Sequence, residues 1–234
     1  MKPKHSIIIN SYNRPVYIKQ ALSSVSAQTN GDFEAIVADD GSNDETLHSI
    51  NEAIKLDKRI RLLPCRDPNP SDDRSMCLTR YAQRINDALE IIAGAIVHYL
   101  ADDDWYGPER LAAFDELFSN EKFFLGYGRL IYIDKEGKDV GQRFPWGPWA
   151  VEGARIAHTI LDHNQIAHRS EALKKVPRWP TDERVDMALS LDGHFMTELL
   201  KFWNFMPIDR IVAYKRFHGL NLQWTGKGST SKRE

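Results

Sequence analysis

The sequence predicts an α/β fold built on a mostly parallel sheet, and two observations predict it. In the first half of the chain, short β-branched apolar runs alternate with stretches whose apolar residues recur at helical spacing. Three of those runs end in polar loops, at Asn10, Asp40 and Asp102. Ligands of parallel sheets gather beyond the carboxyl ends of the strands, so the three loops are expected to converge on one crevice.

The elements follow in order. Ser6-Ile7-Ile8-Ile9-Asn10 reads as the first strand, and Ser11-Tyr12-Asn13-Arg14-Pro15 as a loop opening a helix. From Val16 to Gln28, Ile18, Ala21, Leu22 and Val25 keep helical spacing, and Thr29-Asn30-Gly31-Asp32 supplies a turn. Phe33 to Ala38 is the second strand, ending in the turn formers Asp39 to Thr46 before a helix that carries Leu47, Ile50 and Ile54. Arg59 to Leu63 is a third strand, Thr79 to Ile92 a helix, and Ala95 to Leu100 a buried strand. A helix then begins near Pro108.

The second half is less regular. Phe123 to Gly128 and Arg129 to Ile133 read as two strands, and Asp134 to Lys138 as a turn. A Trp-rich loop follows at Phe144 to Trp149. Gln165 to His168 is a short strand, Leu191 to Phe202 a helix starting near Asp192, and the apolar-poor tail Thr225 to Glu234 is expected to be disordered.

The 234 residues suffice for one well-buried domain. With 31 basic against 33 acidic residues, no global field points to nucleic acid or an anionic membrane. Cys65 and Cys77 are the two cysteines, with no C-x-x-C pairing and no leader pattern, so free thiols in a reducing cytoplasm are expected. They read as small buried residues. No apolar stretch approaches the ~20 residues needed to cross a bilayer, which leaves only peripheral membrane contact open. No signal for oligomeric state stands out.

The run Ala101-Asp102-Asp103-Asp104-Trp105 is the densest chemical signal. Crowded carboxylates repel one another unless a cation, hydrogen bonds or protonation offsets the charge. Their hard oxygens suit Mg²⁺ or Mn²⁺. An isolated run of this kind more often forms a solvated, helix-capping loop, and the two other polar strand ends favour the metal reading.

Two long segments, "IIINSYNRPVYIKQALSSVSAQTNGDFEAIVADDGSNDET" and "LTRYAQRINDALEIIAGAIVHYLADDDWYGPERL", resemble the GT-A glycosyltransferases of family two, with looser matches at "LSLDGHFMTELL" and "AYKRFHGLN". The small SpsA-like members are the most similar in arrangement. The resemblance implies a single GT-A domain over residues 1–222, with a nucleotide-sugar half at about 1–104, an acceptor half at 105–222 and a tail at 223–234. It implies transfer of a sugar, with inversion, from a nucleoside diphosphate, expected to be UDP, to an acceptor hydroxyl.

Carried over residue by residue, the resemblance assigns Asn10, Ser11, Tyr12, Asn13 and Arg14 to the nucleotide, Asp40 to the base and Arg80 to the diphosphate. In the D-x-D element, Asp103 takes the metal position with Asp104 beside it. Ala101 stands where the pattern has its first Asp, which shifts the ribose or diphosphate contact to Asp102. Asp192 is the expected catalytic base, with Asp186 its rival, and His218 a donor-site residue near the diphosphate. A divalent ion held by Asp103 would offset the charge of the leaving diphosphate.

Each assignment has a plainer reading. Asp40 and Asp192 can cap helices, Arg80 can be an ordinary ion-paired side chain, and a lone His218 is often structural. Trp146 and Trp149 can stack on an acceptor sugar, although such residues more often close a core. His163 and His168 lack metal-ligand spacing and read as structural. The acceptor is open among a glycan, a lipid-linked saccharide, a metabolite and a modified base. Two rival functions stand beside the transferase: a nucleotidyltransferase, which normally has a Gly-rich loop that Asn10 to Pro15 lacks, and a non-catalytic nucleotide-sugar binding module.

Overall fold

The computed structural model describes residues 2–65, 74–144, 161–181 and 191–217. Trp146, Trp149, Asp186, His218 and the 225–234 tail lie outside the described residues, as does the side chain of Cys77. Strands β1 (His5–Ser11), β2 (Phe33–Asp39), β3 (Ile60–Leu63) and β4 (Ile96–Ala101) alternate with helices α1 (Pro15–Ser26), α2 (Asp44–Leu56) and α3 (Arg74–Leu89). These four strands pair in parallel in the order β3-β2-β1-β4. The parallel half expected from the sequence is therefore present.

Both faces of this half are covered, which explains why its strands are continuously apolar rather than alternating. Ile7 and Ile9 of β1 face α1 and join a core with Ile18, Leu22 and Val25, whereas Ile8 faces the opposite core with Ile85, Tyr99 and Phe195. Each β1 isoleucine is at most 1% exposed. At ~1.5–3 kcal/mol per buried large apolar side chain, β1 is the most heavily anchored part of the sheet and a rigid base for the loop that follows it.

The second half turns the sheet antiparallel. After β5 (Trp105–Tyr106) and α4 (Arg110–Phe118), β6 (Leu125–Ile133) pairs antiparallel with β7 (Asp139–Phe144) and with β8 (Ile166–Arg169), which in turn pairs antiparallel with β4. Short 3-10 turns flank β8 at His163–Gln165 and Ser170–Lys174. Helix α5 (Leu191–Leu200) leads to the long strand β9 (Phe205–Arg216), parallel to β6 and antiparallel to β5. Among the described residues no helix is long and apolar enough to cross a membrane.

Two expectations change here. The sequence suggests separate strands on either side of Gly128, but β6 is continuous. A Cβ at Gly126 would meet Leu117 at 2.2 Å and one at Gly128 would meet Val212 at 2.3 Å, so these glycines admit α4 and β9 rather than break the strand. Strand β9 had no expected counterpart, because Pro207 and the charged Asp209 and Arg210 hide its pattern. Its pairing with β6 shifts register at that place.

Arg110 pins the antiparallel half to β4. It is fully buried, donates to the carbonyls of Asn164, Ile166 (2.6 Å) and Val212 (3.3 Å), and lies 4.0 Å over the Tyr106 ring. Burial draws its basicity down to about 10. The turn that precedes β8 is thereby held beside the carboxyl end of β4, where the chemistry lies.

Candidate active site

The loops after β1, β2 and β4 meet. The Asp40 N–H donates to the Ser11 carbonyl at 2.9 Å, and the Tyr12 N–H donates to Asp102 Oδ2 at 2.9 Å. Asn13 sits at φ +52°, and Gly41 at φ +87° where a side chain is disfavoured. The first of these bends lets the Asn13 side chain accept from the Asn43 N–H at 2.8 Å. Asn43 in turn caps α2 through Thr46 N–H. Arg84 closes the floor, donating to the carbonyls of Asp39 (2.9 Å), Leu63 (3.1 Å) and Pro64 (2.8 Å).

On this floor Asp40 is buried and paired with Arg80, whose Nε lies 3.0 Å from Oδ2. The Arg80 guanidinium also sits 5.4 Å from the Tyr12 ring centre. Burial pushes the Asp40 carboxyl above its ordinary value, and Arg80 opposes that push. Nearby, Asn10 Oδ1, Ser11 Oγ and Asp39 Oδ1 are buried without hydrogen-bond partners among the described residues. Such groups are costly unless a ligand or water satisfies them.

Asp102, Asp103 and Asp104 are at most 6% exposed, so the solvated-loop reading fails. Arg14 Nη1 lies 2.7 Å from Asp102 Oδ1 and 3.2 Å from Asp103 Oδ2. Two carboxylates thus already converge on one positive centre, an arrangement that suits a hard divalent cation. Burial pushes the Asp102 carboxyl up while Arg14 pulls it down. The Asp104 carboxyl is driven well up by burial and by Asp103.

Asp104 has a different environment from its neighbours. Its Oδ1 accepts from the Arg216 N–H at 2.7 Å and its Oδ2 from Asn164 Nδ2 at 2.8 Å, which joins the β4–β5 turn to β9 and to the turn before β8. Asn164 extends the chain of contacts. Its Oδ1 accepts from the Ala101 N–H at 2.8 Å, and its Nδ2 also donates to Asp162 Oδ1 at 2.6 Å. Asp162 caps its own 3-10 turn and is ion-paired with Lys215 of β9.

From Asp162 the path reaches α5. His163 Nδ1 lies 3.3 Å from Asp192 Oδ2, and the Gly193 N–H donates to Asp192 Oδ1 at 2.9 Å. Asp192 is 3% exposed in the first turn of its helix. Asp162, His163 and Asp192 offer ligand atoms that all lie within 4.8 Å of one another. Lys215 already supplies a positive charge there: burial opposes it, but Asp162 and Asp104 hold the ammonium above its ordinary value.

The structure therefore brings Asn10 to Arg14, Asp40 and Asp102 to Asp104 to neighbouring loops, with Arg80 reaching Asp40 from α3, and links Asp192 to them through Asn164, Asp162 and His163. Sequence reasoning missed Asn164, Asp162 and Lys215 and left His163 as structural. The available signal was the polar cluster "DHNQ" directly before a predicted strand, together with the lysine of "AYKRFHGLN".

Residues 6–175 match the family model described as Glycosyl transferase family 2. The chain belongs to glycosyl transferase family 2. Among curated family relatives, Protein CgeD of Bacillus subtilis is 29% identical over 220 residues, 91% of this chain and 50% of CgeD. The chain thus spans about half the length of that relative.

Solved structures show the same GT-A fold. S. aureus TarS 1-349 in complex with UDP-GlcNAc superposes with a TM-score of 0.66 at 20% identity, covering 98% of this chain and 62% of TarS. The mannosyltransferase PcManGT from Pyrobaculum calidifontis, in complex with GDP-Man and Mn²⁺, has a TM-score of 0.63 at 16% identity, covering 92% of this chain and 57% of PcManGT.

Proposed function

We propose that the chain is a divalent-metal-dependent, inverting glycosyltransferase that moves a sugar from a UDP-sugar to an acceptor hydroxyl. The observation that carries this reading is the polar path from Asp104 through Asn164 to Asp162, whose chain neighbour His163 meets Asp192. It supports a donor side and a base side held in one rigid frame. The UDP-GlcNAc complex of TarS and the Mn²⁺ complex of PcManGT support the donor class and the metal.

In this reading the donor half is formed by the loops after β1, β2 and β4. Asp40 accepts a hydrogen bond from the base edge, for which the N3–H of uracil is a suitable donor. Asp102 and Asp103 would hold Mn²⁺ or Mg²⁺, which offsets charge on the leaving diphosphate. Arg14, bonded to the same two carboxylates, and Arg80 add permanent cations with donors suited to phosphate oxygens. Asp104 holds the turn in place through Asn164 and the Arg216 backbone.

Asp192 then accepts the proton of the attacking hydroxyl. A single base on the face opposite the leaving group gives one displacement and hence inversion at the sugar carbon. Asp162 and Lys215 form an ion pair beside it, so the site retains fixed charges when the base is neutralised.

The test is a thermal-shift panel of UDP, GDP, CDP and dTDP with and without Mn²⁺, followed by UDP release from UDP-sugars. UDP with Mn²⁺ is expected to raise the melting temperature most, because a ligand bound only by the folded state stabilises it. Asp192→Asn is expected to retain that shift and lose turnover. No shift with any nucleotide would refute the donor site, and undiminished turnover in Asp192→Asn would remove Asp192 from the mechanism.

A further inference from the structure

We propose that His163 is a positioning residue for Asp192, orienting the carboxylate through an Nδ1–H hydrogen bond while Asp162 and Lys215 hold the turn that carries it. This rests on the reading of Asp192 as the base. The evidence is geometric. Asp192 is gripped from two sides, with Gly193 N–H on Oδ1 at 2.9 Å and His163 Nδ1 facing Oδ2 at 3.3 Å. An ionised carboxylate only accepts hydrogen bonds, so the facing Nδ1 must carry the proton.

The position of the ring is fixed independently of Asp192. His163 is 8% exposed, and the Trp179 ring stands edge-on to it with centroids 6.0 Å apart. Its backbone lies in a 3-10 turn capped by Asp162, whose side chain accepts from the Asn164 N–H at 3.0 Å while its own N–H donates to Gln165 Oε1 at 2.9 Å. Asp162 is tied to Lys215, and Lys215 is drawn toward Asp104 and Asp192 as well. The turn that carries the imidazole is thus tied to β9 through Asp162, and the ring reaches from it to α5.

A purely structural histidine would satisfy both nitrogens. His163 Nε2 is buried with no partner among the described residues, in contrast to His168, whose Nε2 meets the Tyr99 hydroxyl at 2.8 Å and whose Nδ1 meets the Arg169 carbonyl at 2.9 Å. Leaving one buried nitrogen unpaired is a cost that the packing role does not repay. A metal centre at Asp162, His163 and Asp192 is the competing account. There an ion would have to compete with the Lys215 ammonium for Asp162, as one at Asp102 and Asp103 would with Arg14, and titration with metal alone decides between the accounts.

The test compares three variants by hydrolysis of UDP-GlcNAc, with water as the acceptor, and by UDP affinity in the presence of Mn²⁺. In His163→Asn the amide nitrogen can take the place of Nδ1, whereas in His163→Gln it reaches toward the position of Nε2. The proposal expects His163→Gln to lose tenfold or more in kcat with KM and UDP affinity changed less than threefold, and His163→Asn to recover at least a third of the wild-type kcat. Asp192→Asn is expected to lose more than a hundredfold.

Equal kcat values in wild type and His163→Gln, with Asp192→Asn inactive, would overturn the positioning role and leave the base intact. Equal losses in the Asn and Gln variants would overturn it too. Wild-type turnover in Asp192→Asn would instead refute the base itself. Stoichiometric Mn²⁺ or Zn²⁺ bound without nucleotide and lost in His163→Gln would replace the proposal with the metal centre.

Discussion

Truncating Asn164 to alanine should be among the most damaging single changes in the second half of the chain. The side chain is fully buried and makes three bonds that no nearby group can replace: one from the Ala101 N–H, one to Asp104 and one to Asp162. Asn164→Ala leaves the buried Ala101 amide without an acceptor and the Asp104 carboxylate short of a donor, whereas Asp162 keeps the backbone N–H of residue 164 and Lys215. At ~1–3 kcal/mol for each of the two unsatisfied groups, and with water entering the vacated space to recover part of it, the loss is about 2–5 kcal/mol. Against the ~5–15 kcal/mol that stabilises a typical domain, that is a large fraction. Urea unfolding followed by far-UV circular dichroism measures it, and the midpoint is expected to fall by about 1–3 M. A loss below about 1 kcal/mol would mean that Asn164 does not join the two carboxylates, and the frame linking Asp104 to Asp192 would be refuted.

Three further outcomes are expected. Arg14→Gln should bind Mn²⁺ more tightly than wild type in the absence of nucleotide, by about tenfold, because the guanidinium competes for Asp102 and Asp103; calorimetric titration with Mn²⁺ alone reads this, and unchanged affinity would contradict it. The buried histidines should each contribute acid sensitivity below pH 6.5. Burial holds His5, His98 and His168 below their ordinary value, His168 down to about 4, so the unfolded chain binds more protons and stability falls as pH falls. For His168 alone the loss is about 2 kcal/mol between pH 7.5 and pH 5, and His168→Gln should flatten the pH dependence of the urea midpoint by that amount. Gly128→Ala should unfold at lower urea than wild type, since its Cβ would stand 2.3 Å from a Val212 methyl; an unchanged midpoint would show that β9 yields easily.

The parallel half was legible because its signals are local. Ile7 to Ile9, Ala35 to Ala38 and Val97 to Leu100 are apolar runs with both faces buried, and helical spacing separates them. The polar residues at their ends are meaningful because the topology of such sheets leaves little choice about where those ends go. The antiparallel half was less legible, since Gly126 and Gly128 look like breaks and serve as contact points, and β9 carries Pro207 and four charged residues along its length.

The site divided in the same way. Asp40, Arg80 and Asp102 to Asp104 lie on segments with specific motifs. His163 and Asp192 are 29 positions apart and meet only through the packing of α5 against the turn before β8. Nothing in the spacing of a histidine and an aspartate that far apart announces contact. Asn164 is harder still to see, because its importance lies in bridging two acidic groups from different turns. Asp104 shows how the same composition divides its labour: it belongs to the acidic run, yet the structure commits both its oxygens to Arg216 and Asn164.

The central claim is that Asp103 and its neighbours couple a divalent cation to a nucleoside diphosphate. Calorimetric titration of UDP into wild type and Asp103→Asn, each with and without Mn²⁺, tests it most directly. Mn²⁺ is expected to tighten UDP binding at least tenfold in wild type and to have little effect in Asp103→Asn. Equal UDP affinity with and without Mn²⁺ in wild type, or equal enhancement in the two proteins, would contradict the account.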